Sequence, residues 1–247
     1  MNLEKATLSD SSAARFEMAI LPWGALEPHN QHLPYYTDCL LSQAIALDAV
    51  SVSGLNVGVL PPVWLGQQNP SQTDYAFCVH TSLETQKAIL GDVVRSLQRQ
   101  GIDKLLIING HGGNSFKGMV RDMAFLYPDF MILATDWYAI VPCEGYFENG
   151  GEHADELETS VMMHYHPELV DLTKAGRGAE HKFALPSLAS KTAWLPRRWK
   201  SVTQDTGIGD PSLSTADKGA RYSAAVVARI ADLIKELHQT TELYTKC

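Results

Sequence analysis

Residues that can bind a metal ion or transfer a proton are concentrated in one short stretch near the N-terminus. The segment GALEPHNQHLPYYTD, residues 24–38, contains one glutamate, two histidines and one aspartate. In an extended backbone Glu27 and His29 point to the same side, and Pro28 between them stiffens the chain. An oxygen and a nitrogen ligand on one face suit Zn²⁺, Mn²⁺ or Fe²⁺ better than Ca²⁺ or Mg²⁺. On spacing alone, a metal site and a polar surface loop both remain open.

A second such segment is NGHGGN, residues 109–114, which directly follows the apolar run at 104–108. The C-terminal ends of strands form the edge of an open α/β sheet where ligands bind. The glycines around His111 allow a tight turn and the close approach of another loop. The segment fits neither dinucleotide-binding nor phosphate-loop patterns. His111 is therefore predicted to be a metal ligand, with a plain turn residue as the alternative.

A third segment, GGEHADELETS at residues 150–160, is rich in acids. If a helix begins near Asp155, the helix dipole alone explains acids in its first turn. The two glycines before Glu152 and His153 suggest instead a loop that presents an acid/base pair. The chain has no GxSxG motif and no cysteine in a nucleophile context. A metal-activated water is therefore the candidate nucleophile.

The elements that must position these segments follow an α/β pattern. Strands are predicted at 17–21, within LNVGVLPPV, at 104–108 and at 130–135, and helices at 38–50, 115–126, 155–164 and 216–239. A capping box at Thr81–Glu84 predicts one further helix. The βαβ unit around NGHGGN implies a parallel sheet. We predict a single α/β domain over residues 1–247, with an irregular insertion near 175–215.

Composition narrows the classes of protein that the chain can represent. The chain has 247 residues, 45% of them hydrophobic, and a net charge of −8, which argues against a nucleic-acid partner. No run of 18 apolar residues and no signal-peptide pattern occurs. Four scattered cysteines, Cys39, Cys78, Cys143 and Cys247, read as free thiols of a reducing compartment. The expectation is a cytoplasmic protein without a membrane partner.

Taken together and in order, these motifs resemble the creatininase (creatinine amidohydrolase) family. The resemblance rests on GALEPHNQHLPYYTD, NGHGGN, EHADELETS and the later GIGDP at 207–211, and it runs from about residue 17 to residue 235. It implies a three-layer α/β fold with a mostly parallel sheet and helices on both faces. It also implies a homo-oligomer, often a hexamer, with a metal centre at the C-terminal edge of the strands.

The resemblance implies a specific set of metal ligands. By motif position they are Glu27, His29, Asp38 and His111, with Asp38 bridging two ions. The family carries a further glutamate ligand where this chain has Gly113, and Glu158 is the predicted substitute. Glu156, two residues earlier on the same helix, is expected to point elsewhere. The cofactor is predicted to be one or two divalent ions per subunit, zinc or manganese, with iron as a further option.

The resemblance also assigns Glu152 and His153 as the catalytic pair, with Glu152 orienting His153. Two differences from the family bear on the substrate. The stretch FENGG, directly before Glu152, has no tryptophan where creatininases close one over the substrate, so creatinine is expected to be a poor substrate. Asn30 and Asp155 replace glycines, so both loops are expected to differ in shape.

The predicted function is hydrolysis of a C–N amide bond in a small cyclic or non-peptide substrate through a metal-activated water. His153 would pass a proton to the leaving nitrogen. One alternative is a catalytically decayed family member that acts as a metal-dependent binding or scaffold protein. Another is a doubly wound nucleotide-binding module, which the glycine loop allows but the absence of a phosphate-loop lysine disfavours.

Overall fold

A parallel β-sheet forms the centre of the fold. The computed structural model describes residues 1–239 and 243–245. The strands are β1 (Met18–Trp23), β2 (Gly58–Val59), β3 (Lys104–Asn109) and β4 (Met131–Asp136), in the order β2-β1-β3-β4. All neighbouring strands are parallel. Their C-terminal ends therefore meet at one edge, which brings the loops after β1 and β3 side by side.

Helices cover both faces of this sheet. They are α1 (Leu8–Ser12), α2 (Thr37–Ser53), α3 (Leu83–Arg99), α4 (Phe116–Leu126), α5 (Glu156–Tyr165), α6 (Pro186–Ala189), α7 (Trp199–Val202) and α8 (Ala216–Gln239). Short 3₁₀ turns lie at Gln72–Asp74, Trp137–Ala139, Pro167–Leu169, Leu172–Lys174 and Pro211–Leu213. Side chains of α2, α5 and α8 share one apolar core with the sheet, and those of α3 and α4 share the other. The predicted three-layer α/β fold is confirmed.

Local sequence signals explain where several elements begin and end. The second strand is only two residues long, because Pro61 and Pro62 follow it and proline cannot donate to a strand ladder. The capping box predicted to begin at Thr81 is wrong by one residue. Ser82 is the N-cap, and its hydroxyl accepts a hydrogen bond of 3.3 Å from the amide of Thr85. The helix consequently begins at Leu83.

The stretch predicted to be irregular near 175–215 contains only the short helices α6 and α7 and one 3₁₀ turn.

Cys39, Cys78 and Cys143 are free thiols, and Cys247 lies outside the described residues. Within residues 1–239 and 243–245, no helix is both long and apolar enough to cross a membrane.

The contact between α5 and α8 depends on Gly219. A Cβ atom at Gly219 would overlap the backbone carbonyl of Ser160, whereas one at the exposed Gly118 on α4 would meet nothing within 4 Å. We expect Gly219→Ala to lower the free energy of unfolding by about 1–3 kcal/mol through overpacking. Gly118→Ala should raise it by roughly 0.5–1 kcal/mol, because alanine is the better helix former. Urea titration of both variants checks this, and equal stabilities would contradict the helix contact.

Candidate metal centre

Six acidic and imidazole side chains meet at the C-terminal edge of the sheet. The loop after β1 carries Glu27 and His29, the first turn of α2 carries Asp38, and the turn after β3 carries His111. His153 precedes α5, and Glu158 lies in its first turn. Each of the six is at most 9% exposed to solvent. Such a concentration of buried ionisable groups is unfavourable unless the groups are paired or bind a cation.

Asp38 lies at the middle of this cluster. Its Oδ1 is 2.9 Å from Nε2 of His29, and its Oδ2 is 3.2 Å from Nδ1 of His111. Two sets of potential ligands share this carboxylate. They are Glu27, Asp38 and His111 on one side and His29, Asp38 and Glu158 on the other, with the ligand atoms of each set within 4.8 Å of one another. A third set of the same compactness joins Glu27, His29 and His153 and does not include Asp38. The arrangement matches two neighbouring ion positions with a shared carboxylate.

Backbone carbonyls determine which nitrogen of each histidine faces the cluster. In each of three histidines, one ring nitrogen bonds to a carbonyl oxygen, which can only accept, so that nitrogen carries the proton. The pairs are His29 Nδ1 with Glu27 O at 3.0 Å, His111 Nε2 with Gln67 O at 2.5 Å and His153 Nε2 with Pro28 O at 3.0 Å. The other nitrogen then faces the carboxylates. Histidines that bind metals are oriented in this way.

The electrostatics of the cluster also fit a bound cation. Burial alone would lower the pKa of His29, but the Asp38 carboxylate beside it raises that pKa to about 10. Burial raises the pKa of Glu158 to about 8, although His29 opposes the shift. Oδ2 of Asp38 is buried and accepts no well-formed hydrogen bond. Divalent ions displace such protons and satisfy such oxygens, so the donor set fits zinc or manganese.

Two glycines allow the loops to approach the start of α2. A Cβ atom at Gly24 would lie 2.7 Å from the Cβ of Asp38, and one at Gly110 would overlap the carbonyl of Asp38. Substituting either glycine would therefore push Asp38 away from its present position. The glycine content of both motifs has a direct geometric cause.

Asn30 and Asp155, which stand where the resemblance implies glycines, have structural roles. Asn30 adopts a φ of 54°, a left-handed conformation that asparagine tolerates. Its side-chain oxygen accepts from the amide of Gly176 at 2.9 Å, which ties the ligand loop to the insertion. Asp155 is the N-cap of α5, and its carboxylate accepts from the amide of Glu158 at 3.0 Å. Each replacement holds a site loop in place.

The expected contact between Glu152 and His153 is not formed. The Glu152 side chain is 59% exposed, and its carboxylate lies 2.8 Å from Nη1 of Arg197. His153 is oriented instead by the carbonyl of Pro28, and its Nδ1 lies 3.7 Å from Oε1 of Glu27. The prediction that Glu152 orients the imidazole of His153 through a direct contact is therefore wrong. A catalytic role for Glu152 itself stays a prediction.

Three further residues around the cluster were not identified from the sequence. Gln72 donates a hydrogen bond of 2.5 Å to Oε2 of Glu27. The ring of Trp199 meets His153 edge-to-face at 5.4 Å, and the Arg197 guanidinium lies over Trp199 at 5.3 Å. The insertion thus supplies an aromatic neighbour for His153, although the stretch FENGG directly before Glu152 has no tryptophan. The one available signal was the i, i+2 spacing of Arg197 and Trp199 in LPRRWK.

At Gly113, where the resemblance implies a further glutamate ligand, a side chain does not fit without a clash. A Cβ at Gly113 would overlap both the carbonyl oxygen of Gln67 and Nε2 of His111, whereas one at Gly112 would have Tyr138 Oη at 3.7 Å as its nearest neighbour. We therefore expect Gly113→Glu to lower the metal content of the protein, because it displaces His111. Elemental analysis after dialysis measures this.

Gly112→Ala is the matched control for this prediction, because it adds a side chain one position away without a clash. Its metal content should equal that of the unmodified protein. A Gly113→Glu variant that bound more metal than the unmodified protein would show that the loop can move to accept a fifth ligand.

Comparison with known proteins gives matches over nearly the whole chain. A family model described as creatininase, creatinine amidohydrolase, matches residues 3–234. The creatinine amidohydrolase of Pseudomonas putida is 30% identical, over 88% of this chain and 88% of that protein. The mycofactocin precursor peptide peptidase of Mycobacterium ulcerans (strain Agy99) is 30% identical, over 84% of this chain and 80% of that protein. A crystal structure from Bacteroides fragilis NCTC 9343, described as a candidate creatinine amidohydrolase, is 50% identical with a TM-score of 0.96, covering 99% of this chain and 98% of that one.

Proposed function

This chain belongs to the creatininase family, and from that premise we propose that it is a metal-dependent hydrolase of C–N amide bonds. The observation that carries the proposal is the pair of ligand sets that share Asp38. Glu27, Asp38 and His111 would hold one ion, and His29, Asp38 and Glu158 would hold the other. The intact, buried set favours an enzyme over a decayed binding protein.

Divalent ions in such a centre supply Lewis acidity and lower the pKa of water to near neutrality. The chain's own residues contribute orientation and proton transfer. His153 donates its Nε2 proton to the carbonyl of Pro28, so Nδ1 is the atom that can take up a proton and pass it to the leaving nitrogen. Burial lowers the pKa of His153, which keeps Nδ1 free to accept. Trp199 limits the movement of the imidazole ring.

The names of the relatives indicate the class of bond that the family hydrolyses. Their names include a creatinine amidohydrolase, a formylaminopyrimidine deformylase and a precursor peptide peptidase, all of which describe cleavage of C–N bonds. We propose a small cyclic or non-peptide amide as the substrate. A short peptide is the second candidate, because peptidases at up to 30% identity cover most of this chain.

The cofactor we propose is zinc or manganese, with iron as a further option, at one or two ions per subunit. Creatininases of this fold are described as a Mn form and as a Zn-Zn type. We also propose that the protein is a cytoplasmic homo-oligomer, such as a hexamer.

A substrate panel on metal-loaded protein tests the proposed function. Protein reconstituted with Zn²⁺, Mn²⁺ or Fe²⁺ is offered creatinine, lactams, hydantoins, N-formyl amines and dipeptides. We expect C–N hydrolysis that a chelator abolishes and metal restores. Creatinine should be opened more slowly than roughly 10 per second, a typical enzyme rate, because the stretch FENGG directly before Glu152 has no tryptophan. Metal-loaded protein that hydrolyses none of these classes would contradict the proposal.

A further inference from the structure

The insertion places a permanent cation at the rim of the cluster. Between Arg197 and Lys200 the exposure of the side chains alternates. Arg197 and Trp199 are half-buried and buried, whereas Arg198 and Lys200 are exposed. The guanidinium of Arg197 lies over Trp199, whose ring contacts His153. Arg197 is therefore joined to the catalytic histidine through one aromatic ring.

The guanidinium of Arg197 is held from one side and open on the other. Its Nη1 lies 2.8 Å from Glu152 and 3.3 Å from Glu180. For Nε and Nη2, the structure records no partner among the described residues. The side chain is 27% exposed, so solvent and ligands reach it. An arginine anchored through one nitrogen presents the fixed two-donor edge that matches a carboxylate or phosphate.

We propose that Arg197 determines substrate specificity by binding an anionic oxygen group, a carboxylate or a phosphate, on the amide substrate. The inference rests on the proposed function, because it describes the substrate of the same site. Both glutamates contact Nη1 and leave the edge formed by Nε and Nη2 to a ligand. The Glu152 side chain is 59% exposed and that of Glu180 is 26% exposed, so water screens the charge of Glu152 more than that of Glu180. Lys200 is a weaker candidate because it lies over Tyr75, whereas Arg197 lies over Trp199, the ring that contacts His153.

Three formamides of similar size provide the test. N-formylglycinamide is neutral, N-formylglycine carries a carboxylate, and N-formylaminomethylphosphonate carries a phosphonate. Each consumes one water and releases formate and the free amine, so kcat/KM is measured by formate release from metal-loaded protein. We expect one anionic formamide to be preferred over the neutral one. The preferred anion distinguishes a carboxylate from a phosphate substrate.

The variants Arg197→Gln and Arg198→Gln isolate the contribution of Arg197. Arg197→Gln should lower kcat/KM for the preferred anion about 10- to 100-fold, mainly through KM, because charged hydrogen bonds are lost. Arg198→Gln, on the exposed side of the same segment, should change none of the three values. The ratio of anionic to neutral kcat/KM is the decisive quantity, since a general loss from a displaced Glu152 cancels in it. An unchanged ratio in Arg197→Gln overturns the inference.

Calorimetry separates this inference from the proposed function. If no compound of the substrate panel and no formamide is hydrolysed, but an anionic formamide binds and Arg197→Gln loses that binding, the anion site stands and the hydrolase proposal falls. If the formamides are hydrolysed without preference, the hydrolase stands and the anion site falls. If neither anion binds or reacts better than the neutral compound, the anion site is overturned.

Discussion

Asp38→Asn is expected to release both metal ions from the protein. Asp38 is the one residue common to the two ligand sets, and both of its carboxylate oxygens face a histidine. Asparagine keeps the shape but presents a single neutral acceptor oxygen, so both sets lose charge and one of them loses a ligand. Affinity should fall by more than the roughly 10- to 100-fold that loss of an outer-sphere partner costs. Elemental analysis after dialysis should then find almost no metal.

Two comparisons make this result specific. His29→Ala should lose less metal, because Glu27, Asp38 and His111 still form a complete set. Asp48→Asn is the control on the same helix, where an exposed carboxylate accepts a hydrogen bond from the hydroxyl of Tyr165. It should retain full occupancy. An Asp38→Asn protein with unchanged metal content would show that Asp38 does not bridge the ions.

The fold was largely predictable because β1 and β3, at the centre of the sheet, are buried on both faces. Such strands appear as short apolar runs, and the βαβ unit from β3 to β4 matches its predicted bounds within about two residues, the usual uncertainty of an element boundary. The start of α3 was harder to predict, because Thr81 and Ser82 are both good N-cap residues. The neighbouring chain decided between them. The amide of Thr81 donates to the carbonyl of Gly66, so Thr81 belongs to the preceding loop.

The ligands that belong to motifs at the ends of strands were predictable from the sequence. The direction in which the Glu152 side chain points was not. Glu27, Asp38 and His111 lie together because their motifs end parallel strands or begin the next helix. Glu152 and His153 are adjacent in an extended segment that bridges to Ile208. Neighbouring side chains in such a segment point to opposite sides. With His153 directed inward, Glu152 must face outward, and a linear motif does not show this.

Glu158→Gln is expected to reduce bound metal from nearly two equivalents towards one and to abolish turnover. The carboxylate of Glu158 belongs to the set with His29 and Asp38 and is absent from the set with Glu27 and His111. Its Oε2 accepts a hydrogen bond of 2.5 Å from the amide of Ala154, which holds Oε1 at 4.0 Å from Nε2 of His29. Glutamine preserves the volume and the bond to Ala154. Only the charge and the ligand are lost.

Glu156→Gln separates this effect from a general weakening of α5. Glu156 is fully buried but points away from the cluster, and its carboxylate lies 2.5 Å from Nζ of Lys218. Glu156→Gln should therefore lower the melting temperature while leaving both ions bound. Glu158→Gln should instead lose one ion.

In metal-free protein, burial raises the pKa of Glu158 to about 8. The charged carboxylate therefore lowers the free energy of unfolding as the pH rises from the pKa of Glu158 in the unfolded chain to about 8. At pH 9 the metal-free Glu158→Gln protein should melt no lower than the metal-free parent. Two bound ions in Glu158→Gln, or one in Glu156→Gln, would exclude Glu158 as the ligand of the second ion.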